Sequence, residues 1–164
     1  MIRQLEYNKK VCDFFANSEK INLIFHGEGV DKELLEYCEV NGYKNIRFTG
    51  KYDYKKDVEK FVEGTDILNC LYDNDIVQQP ALVVKLYEAI HYKIPMIVNK
   101  GSYLQEYCSE FDVSLALDIN ENSVDDITDW FNNINEQKTI ESYVEFQKLV
   151  DQENSVFEKA LLDF

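Results

Sequence analysis

Glu88 stands three residues after Lys85 in the run KLYEAIHYKIPMIVNK, Lys85 to Lys100, where an amphipathic helical pattern passes straight into a continuous apolar run. A carboxylate early in such a helix, at the edge of a parallel sheet, is placed to accept hydrogen bonds from vicinal hydroxyls such as those of a ribose. A Lys–Glu pair at i, i+3 is also an ordinary surface ion pair worth about 0.2–0.5 kcal/mol, so spacing alone leaves both readings open. The residues that follow favour the first. Ile94-Pro95-Met96-Ile97-Val98 puts proline at a strand start and then an unbroken apolar run, as a central strand buried on both faces requires.

Other loops carry weaker chemistry. His26-Gly27-Glu28-Gly29 follows an apolar run, and its two glycines permit a tight turn and close approach of backbone to a ligand. It lacks the third glycine of a dinucleotide fingerprint, and no GxxxxGK[ST] occurs, so dinucleotide and P-loop readings lose their main support. Gly50-Lys51-Tyr52-Asp53-Tyr54 offers a glycine and aromatic rings beside a cation, which suits a nucleobase as well as it suits a Tyr-rich surface. The polar stretch from Asp73 to Ala81 faces sugar or phosphate, or simply water. Asp73 and Asp75 alone are poor evidence of a metal site. Arg3 and Lys9 or Lys10 supply cations near the start, and terminal charges are ordinarily just solvated. His26 and His91 form no metal or nucleophile constellation by spacing.

The elements that must position these residues read as an alternation. Ile21 to Phe25, Ile46 to Thr49, Asp66 to Tyr72, Ile94 to Asn99 and Val113 to Leu117 are predicted strands. Between them, Asp31 caps a predicted helix to about Asn41 with Leu34, Leu35 and Cys38 buried. Asp57 to Glu63 gives a second, Leu82 to Tyr92 a third, and Ser102 with Gln105 resembles a capping box for a fourth. Met1 to Arg3 reads as the tail of a strand, followed by a helix to about Asn17 with Val11, Phe14 and Phe15 inward. Val124 to Phe131, Ile140 to Val150 and Val156 to Phe164 are predicted as three further helices. The fold class expected is α/β: a Rossmann-like three-layer domain with a mostly parallel sheet and helices on both faces. With no repeat or Pro/Gly linker, residues 1–164 are expected to form one domain, closed by helices over about 138–164.

Composition narrows the partners. A net charge of −14 argues against double-stranded nucleic acid and anionic membrane as main ligands, since both need clustered Lys and Arg. A nucleoside diphosphate stays open, because local cations and helix-start N–H groups act at short range. Cys12, Cys38, Cys70 and Cys108 form no CxxC pair and read as reduced thiols, which with the lack of a signal peptide or a long apolar run points to the cytoplasm.

In their order these pieces resemble the C-terminal, nucleotide-sugar-binding domain of GT-B glycosyltransferases, closest to the bacterial capsular and exopolysaccharide enzymes of glycosyltransferase family four. The segments are IRQLEYNKK, INLIFHGEG, NIRFTGKY, DILNCLYDND, KLYEAIHYKIPMIV and Gly101-Ser102, across roughly Met1 to Asn120. The resemblance implies that Glu88 binds the donor ribose and that the start of its helix, with Lys85 and Leu86, faces the diphosphate. Gly27 and Gly29 would line the cleft, and Gly50, Lys51 and Tyr52 would contact the base. Arg3, with Lys9 or Lys10, would neutralise the leaving diphosphate, a role positive groups can fill without a metal. It implies no cofactor, a UDP-sugar donor, a polysaccharide or lipid-linked acceptor, and peripheral work at the inner face of the plasma membrane.

Two departures bound this resemblance. The family's E-x7-E pattern needs an acidic residue eight positions before Glu88, where this chain has Pro80. The sugar-facing carboxylate is then absent or displaced toward Asp75. The acceptor-binding N-terminal domain of GT-B enzymes is also missing from the sequence, so the chain is expected to be a fragment or a detached half, inactive in transfer without that domain in cis or as a partner subunit. The competing class is a non-catalytic α/β module, either receiver-like or an interaction subunit. His26-Gly27-Glu28-Gly29 after the first strand, and no lysine at Ala116-Leu117-Asp118, count against a receiver. A sugar-nucleotide epimerase is disfavoured by the missing third glycine and Tyr-xxx-Lys pair.

Overall fold

The computed structural model describes residues 2–27, 32–51, 53–73 and 84–162. All five predicted strands form, each shorter than its apolar run: β1 Leu23–Phe25, β2 Ile46–Phe48, β3 Leu68–Cys70, β4 Met96–Asn99 and β5 Ser114–Leu117. Every ladder is parallel. Among the described residues the ladders fall into two groups, β1 with β2 and β3-β4-β5, rather than one hydrogen-bonded sheet. The helices are α1 Ile2–Phe15, α2 Lys32–Val40, α3 Tyr54–Glu63, α4 Val84–Tyr92, α5 Tyr103–Cys108, α6 Val124–Asn132 and α7 Glu136–Leu162.

Alternation along the strands sends side chains to two cores. Ile97 and Leu71 join Leu23, Ile46 and Leu117 beneath α1, α2 and α6. Met96, Val98 and Cys70 point the other way, against Leu86, Ala89 and Ile90 of α4, Leu104 and Cys108 of α5, and Tyr143, Phe146 and Val150 of α7. β4 is buried along its whole length, as the run after Pro95 demands. The result is an α/β, Rossmann-like arrangement of parallel strands with helices on both faces.

Several expectations are corrected. Arg3 lies in the first turn of α1, so no strand ends there. Asn17, expected inside that helix, instead takes a left-handed turn beyond it (φ 56°). Leu35 is exposed while Leu34 and Cys38 are buried, because a nine-residue helix turns only a narrow face inward. The two C-terminal helices are one, α7, of 27 residues. Its residues 151–160 are all exposed. The chain there needs no apolar stripe, and that loss of periodicity reads as a break. Asp31, expected to cap α2, and Leu82, expected to start α4, lie outside the described residues.

The Ser102 cap forms with a twist. Ser102 Oγ accepts the Gln105 N–H at 3.1 Å, while Gln105 Oε1 accepts from Gly101 N at 2.6 Å, one residue earlier than in the usual box.

Candidate functional site

Helix α2, between β1 and β2, covers one face; α4 and α5, joining β3 to β4 and β4 to β5, cover the other. The winding direction therefore reverses between β1 and β3. In open α/β folds that reversal opens a crevice at the carboxyl ends of the strands, where ligands bind. The residues at those ends here are His26 and Gly27 after β1, Thr49 and Gly50 after β2, Tyr72 and Asp73 after β3, and the start of α4.

Gly27 and Gly50 meet across β1 and β2, with Gly27 N–H donating to the Gly50 carbonyl at 3.2 Å. Both hold positive φ, 138° and 75°, and a Cβ on Gly50 would touch nothing within 4 Å, so conformation rather than space calls for glycine there. Lys51 is exposed beside it. Gly29 and Tyr52 lie outside the described residues, as do Asp75 and Pro80.

Lys85 and Glu88 do not pair with each other. Lys85 Nζ donates to the Asn69 carbonyl at 2.7 Å and lies 5.5 Å from the centre of the Tyr72 ring, so it turns toward β3. Glu88 is half-buried and makes no hydrogen bond or ion pair among the described residues. Its charge is felt on the same side: it helps burial raise the Tyr72 phenol, and it adds to the burial that pushes the Cys70 thiol up to about 11 against the pull of Lys85. A carboxylate left unpaired and half-buried at a switch point has acceptor capacity to spare.

Leu86 differs from its expected role. Its side chain is fully buried in the core, so only its backbone is left to meet a ligand. Lys9 is drawn elsewhere, between Glu6 at 2.9 Å and Glu33 at 3.0 Å, with its ammonium 5.6 Å from the centre of the Tyr37 ring. Lys10 is exposed. Of Arg3, only its place in α1 is described.

Two residues at this edge escape sequence reasoning. His26 stacks on Phe61 of α3, with centroids 3.9 Å apart and planes 21° apart, and its Nδ1 lies 3.0 Å from Thr49 Oγ1. Burial, then the Lys85 cation, holds its pKa below the ordinary histidine value. Tyr7 of α1 reaches the end of β4, where its hydroxyl accepts from Asn99 Nδ2 at 2.6 Å. Burial above all, opposed by that bond and helped by Asp73 and Asp118, raises its pKa. Both partnerships join residues far apart in the chain, and no local pattern announces them.

Among the described residues no group of three or more His, Cys, Asp or Glu side chains is placed to hold a metal ion. No helix among them is long and apolar enough to cross a membrane.

No family model and no curated protein matches the chain. Among solved structures it is similar to a protein from Listeria monocytogenes assigned as a UDP-N-acetylglucosamine 2-epimerase, with a TM-score of 0.50 and 15% identity. The match covers 84% of this chain and 34% of that one, so the chain spans about a third of that protein's length. At this identity the likeness speaks to the fold alone: an α/β, Rossmann-like arrangement of parallel strands with helices on both faces.

Proposed function

We propose that the chain is a nucleotide-sugar-binding domain, and that the protein it serves transfers a sugar from a nucleoside diphosphate donor, with UDP as the expected nucleotide. The observation that carries this reading is Glu88: half-buried beside the crevice, three residues past Lys85, and unpaired among the described residues. In this reading its carboxylate accepts both ribose hydroxyls. Gly27 and Gly50 let backbone approach the ligand, and Gly29, Lys51 and Tyr52 complete the walls around diphosphate and base. The start of α4 around Lys85 and Leu86, with Arg3, faces the diphosphate; Lys9 is left to its surface ion pairs. No metal or cofactor is required, because positive groups and helix-start N–H groups meet the charge that builds on the leaving phosphate.

The acceptor, a polysaccharide or lipid-linked glycan of the capsular or exopolysaccharide kind, would be held by a second Rossmann-like domain in cis or in a partner subunit. The work would be done in the cytoplasm, at the inner face of the plasma membrane. A second reading, a sugar-nucleotide epimerase domain, draws support from the Listeria neighbour, whose name is that of an enzyme acting on a UDP-sugar. Both readings need the same nucleotide clamp.

The test is thermal shift and ligand-observed NMR with UDP, GDP and CMP on the wild type and on Glu88→Ala. UDP is expected to raise the midpoint of the wild type, and the variant is expected to bind about ten- to a hundredfold more weakly, the loss of about 1.5–3 kcal/mol that hydrogen bonds to a charged group supply. Equal responses to all three nucleotides would overturn the UDP assignment, and an unaffected variant would sink the ribose clamp.

A further inference from the structure

His26 is held by two partners, Thr49 and Phe61. Thr49 Oγ1 lies 3.0 Å from His26 Nδ1 and 3.4 Å from the Phe25 carbonyl, which ties this ring nitrogen to the hydroxyl. This contact occupies Nδ1 and leaves Nε2 as the ring nitrogen open to a ligand. Phe61 of α3 fixes the ring plane by stacking. Nε2 has no hydrogen-bond partner among the described residues. Thr49 from β2 and Phe61 from α3 bring no charge to the ring; the charged group that acts on it is Lys85 of α4. An imidazole whose plane is fixed by stacking and whose Nδ1 is held by Thr49, within reach of the Lys85 charge at the carboxyl end of β1, is more than a packed core histidine.

We propose that His26 is a further binding residue of this site, which takes up one proton when a nucleotide-sugar diphosphate binds and then donates from Nε2 to a diphosphate oxygen. The proposal rests on the nucleotide-sugar reading above. In the free protein the ring is neutral near pH 7, since burial and Lys85 both disfavour the imidazolium. A bound diphosphate brings negative charge to Lys85 and to the ring together, and so reverses the balance. The proton comes from solvent and stays on the ring, no bond to the ligand is made or broken, and release of the ligand returns it. Binding should therefore tighten as pH falls, by at most about tenfold per pH unit for one proton. The effect is confined to the window where the free ring is neutral and the bound ring is not.

The chain has two histidines, and His91 sits at the opposite end of α4, so each ring can be followed by NMR with the other as reference. The probe is UDP-glucose, whose diphosphate diester has no titrating group near pH 6. The expected result is that saturating UDP-glucose moves the His26 titration midpoint to higher pH and leaves His91 in place. His26→Gln should lose about tenfold in affinity at pH 6 and little at pH 8. If UDP-glucose binds and depends on Glu88 while the His26 midpoint does not move, this proposal is overturned and the nucleotide reading survives. If UDP-glucose does not bind at all, both fall.

Discussion

The side-chain amide of Asn99 donates to the Tyr7 hydroxyl at 2.6 Å, and its Oδ1 accepts the Tyr72 N–H at 2.8 Å. One buried residue at the end of β4 thus holds α1 and the exit of β3 at the same point. Ser102 Oγ bonds to its carbonyl at 2.7 Å and ties in the cap of α5. Asn99→Ala should cost about 2–3 kcal/mol, because it strands the half-buried Tyr72 N–H as well as losing Tyr7, whereas Tyr7→Phe should cost about 1 kcal/mol. Urea unfolding checks both. A cost for Asn99→Ala no larger than that of Tyr7→Phe would show that the hub is redundant.

Helix α7 divides into a half that stabilises and a half that does not. Phe146 is fully buried and stacks on Phe111, with ring centroids 4.1 Å apart, so Phe146→Ala should cost about 3–5 kcal/mol. A chain ending after Gln152 loses the exposed residues 153–160 and the Tyr107–Glu153 hydrogen bond, a change of about 1 kcal/mol and about 2–4 °C in Tm for a chain of this size. Paired thermal melts should separate the two widely. Unfolding of the shortened chain would mean that the exposed half contributes more than its contacts account for.

Three surface carboxylates should set part of the acid sensitivity. Asp57 accepts the Asp53 N–H, Asp118 the N–H and side-chain amide of Asn120, and Asp126 the N–H of Ser123, each bond holding its carboxyl below the ordinary aspartate value of 3.8. With folded pKa values lower than unfolded ones, the unfolded chain binds more protons in this window. The contribution is complete above about pH 5 and disappears as pH falls through the lowered values, so stability rises with pH there. The triple variant Asp57→Asn, Asp118→Asn, Asp126→Asn should lose less stability than the wild type between pH 5 and pH 3. Parallel losses in urea melts at the two pH values would contradict this.

Much of this architecture is legible before any coordinates. The five apolar runs mark the five strands, and the run after Pro95 marks β4 most plainly, since a strand buried on both faces must be apolar throughout. Ser102 with Gln105 signals the α5 cap because capping is a local affair. What stays hidden is non-local. His26 carries no ligand-like spacing; its meaning comes from Thr49 on the next strand and Phe61 on the next helix. The Lys85–Glu88 spacing suggests a surface pair, and only the placement of Asn69 and Tyr72 shows Lys85 turning away and leaving Glu88 unpaired. The split of α7 into two predicted helices has a similar origin: Asp151-Gln152-Glu153-Asn154-Ser155 shows no buried stripe because all five residues are exposed, although the backbone stays helical.

The interruption between the β1–β2 pair and the three-stranded group has a mechanical meaning. Across it the described residues are joined by side chains such as Leu23, Ile46, Leu71 and Ile97, with no backbone ladder between the two groups. A small widening there breaks no interstrand ladder among the described residues. His26, Gly27 and Gly50 stand on one bank, and Lys85 and Glu88 on the other. A molecule gripping both banks would act as a rivet, and amide exchange in β1 and β3 should slow together when it is seated.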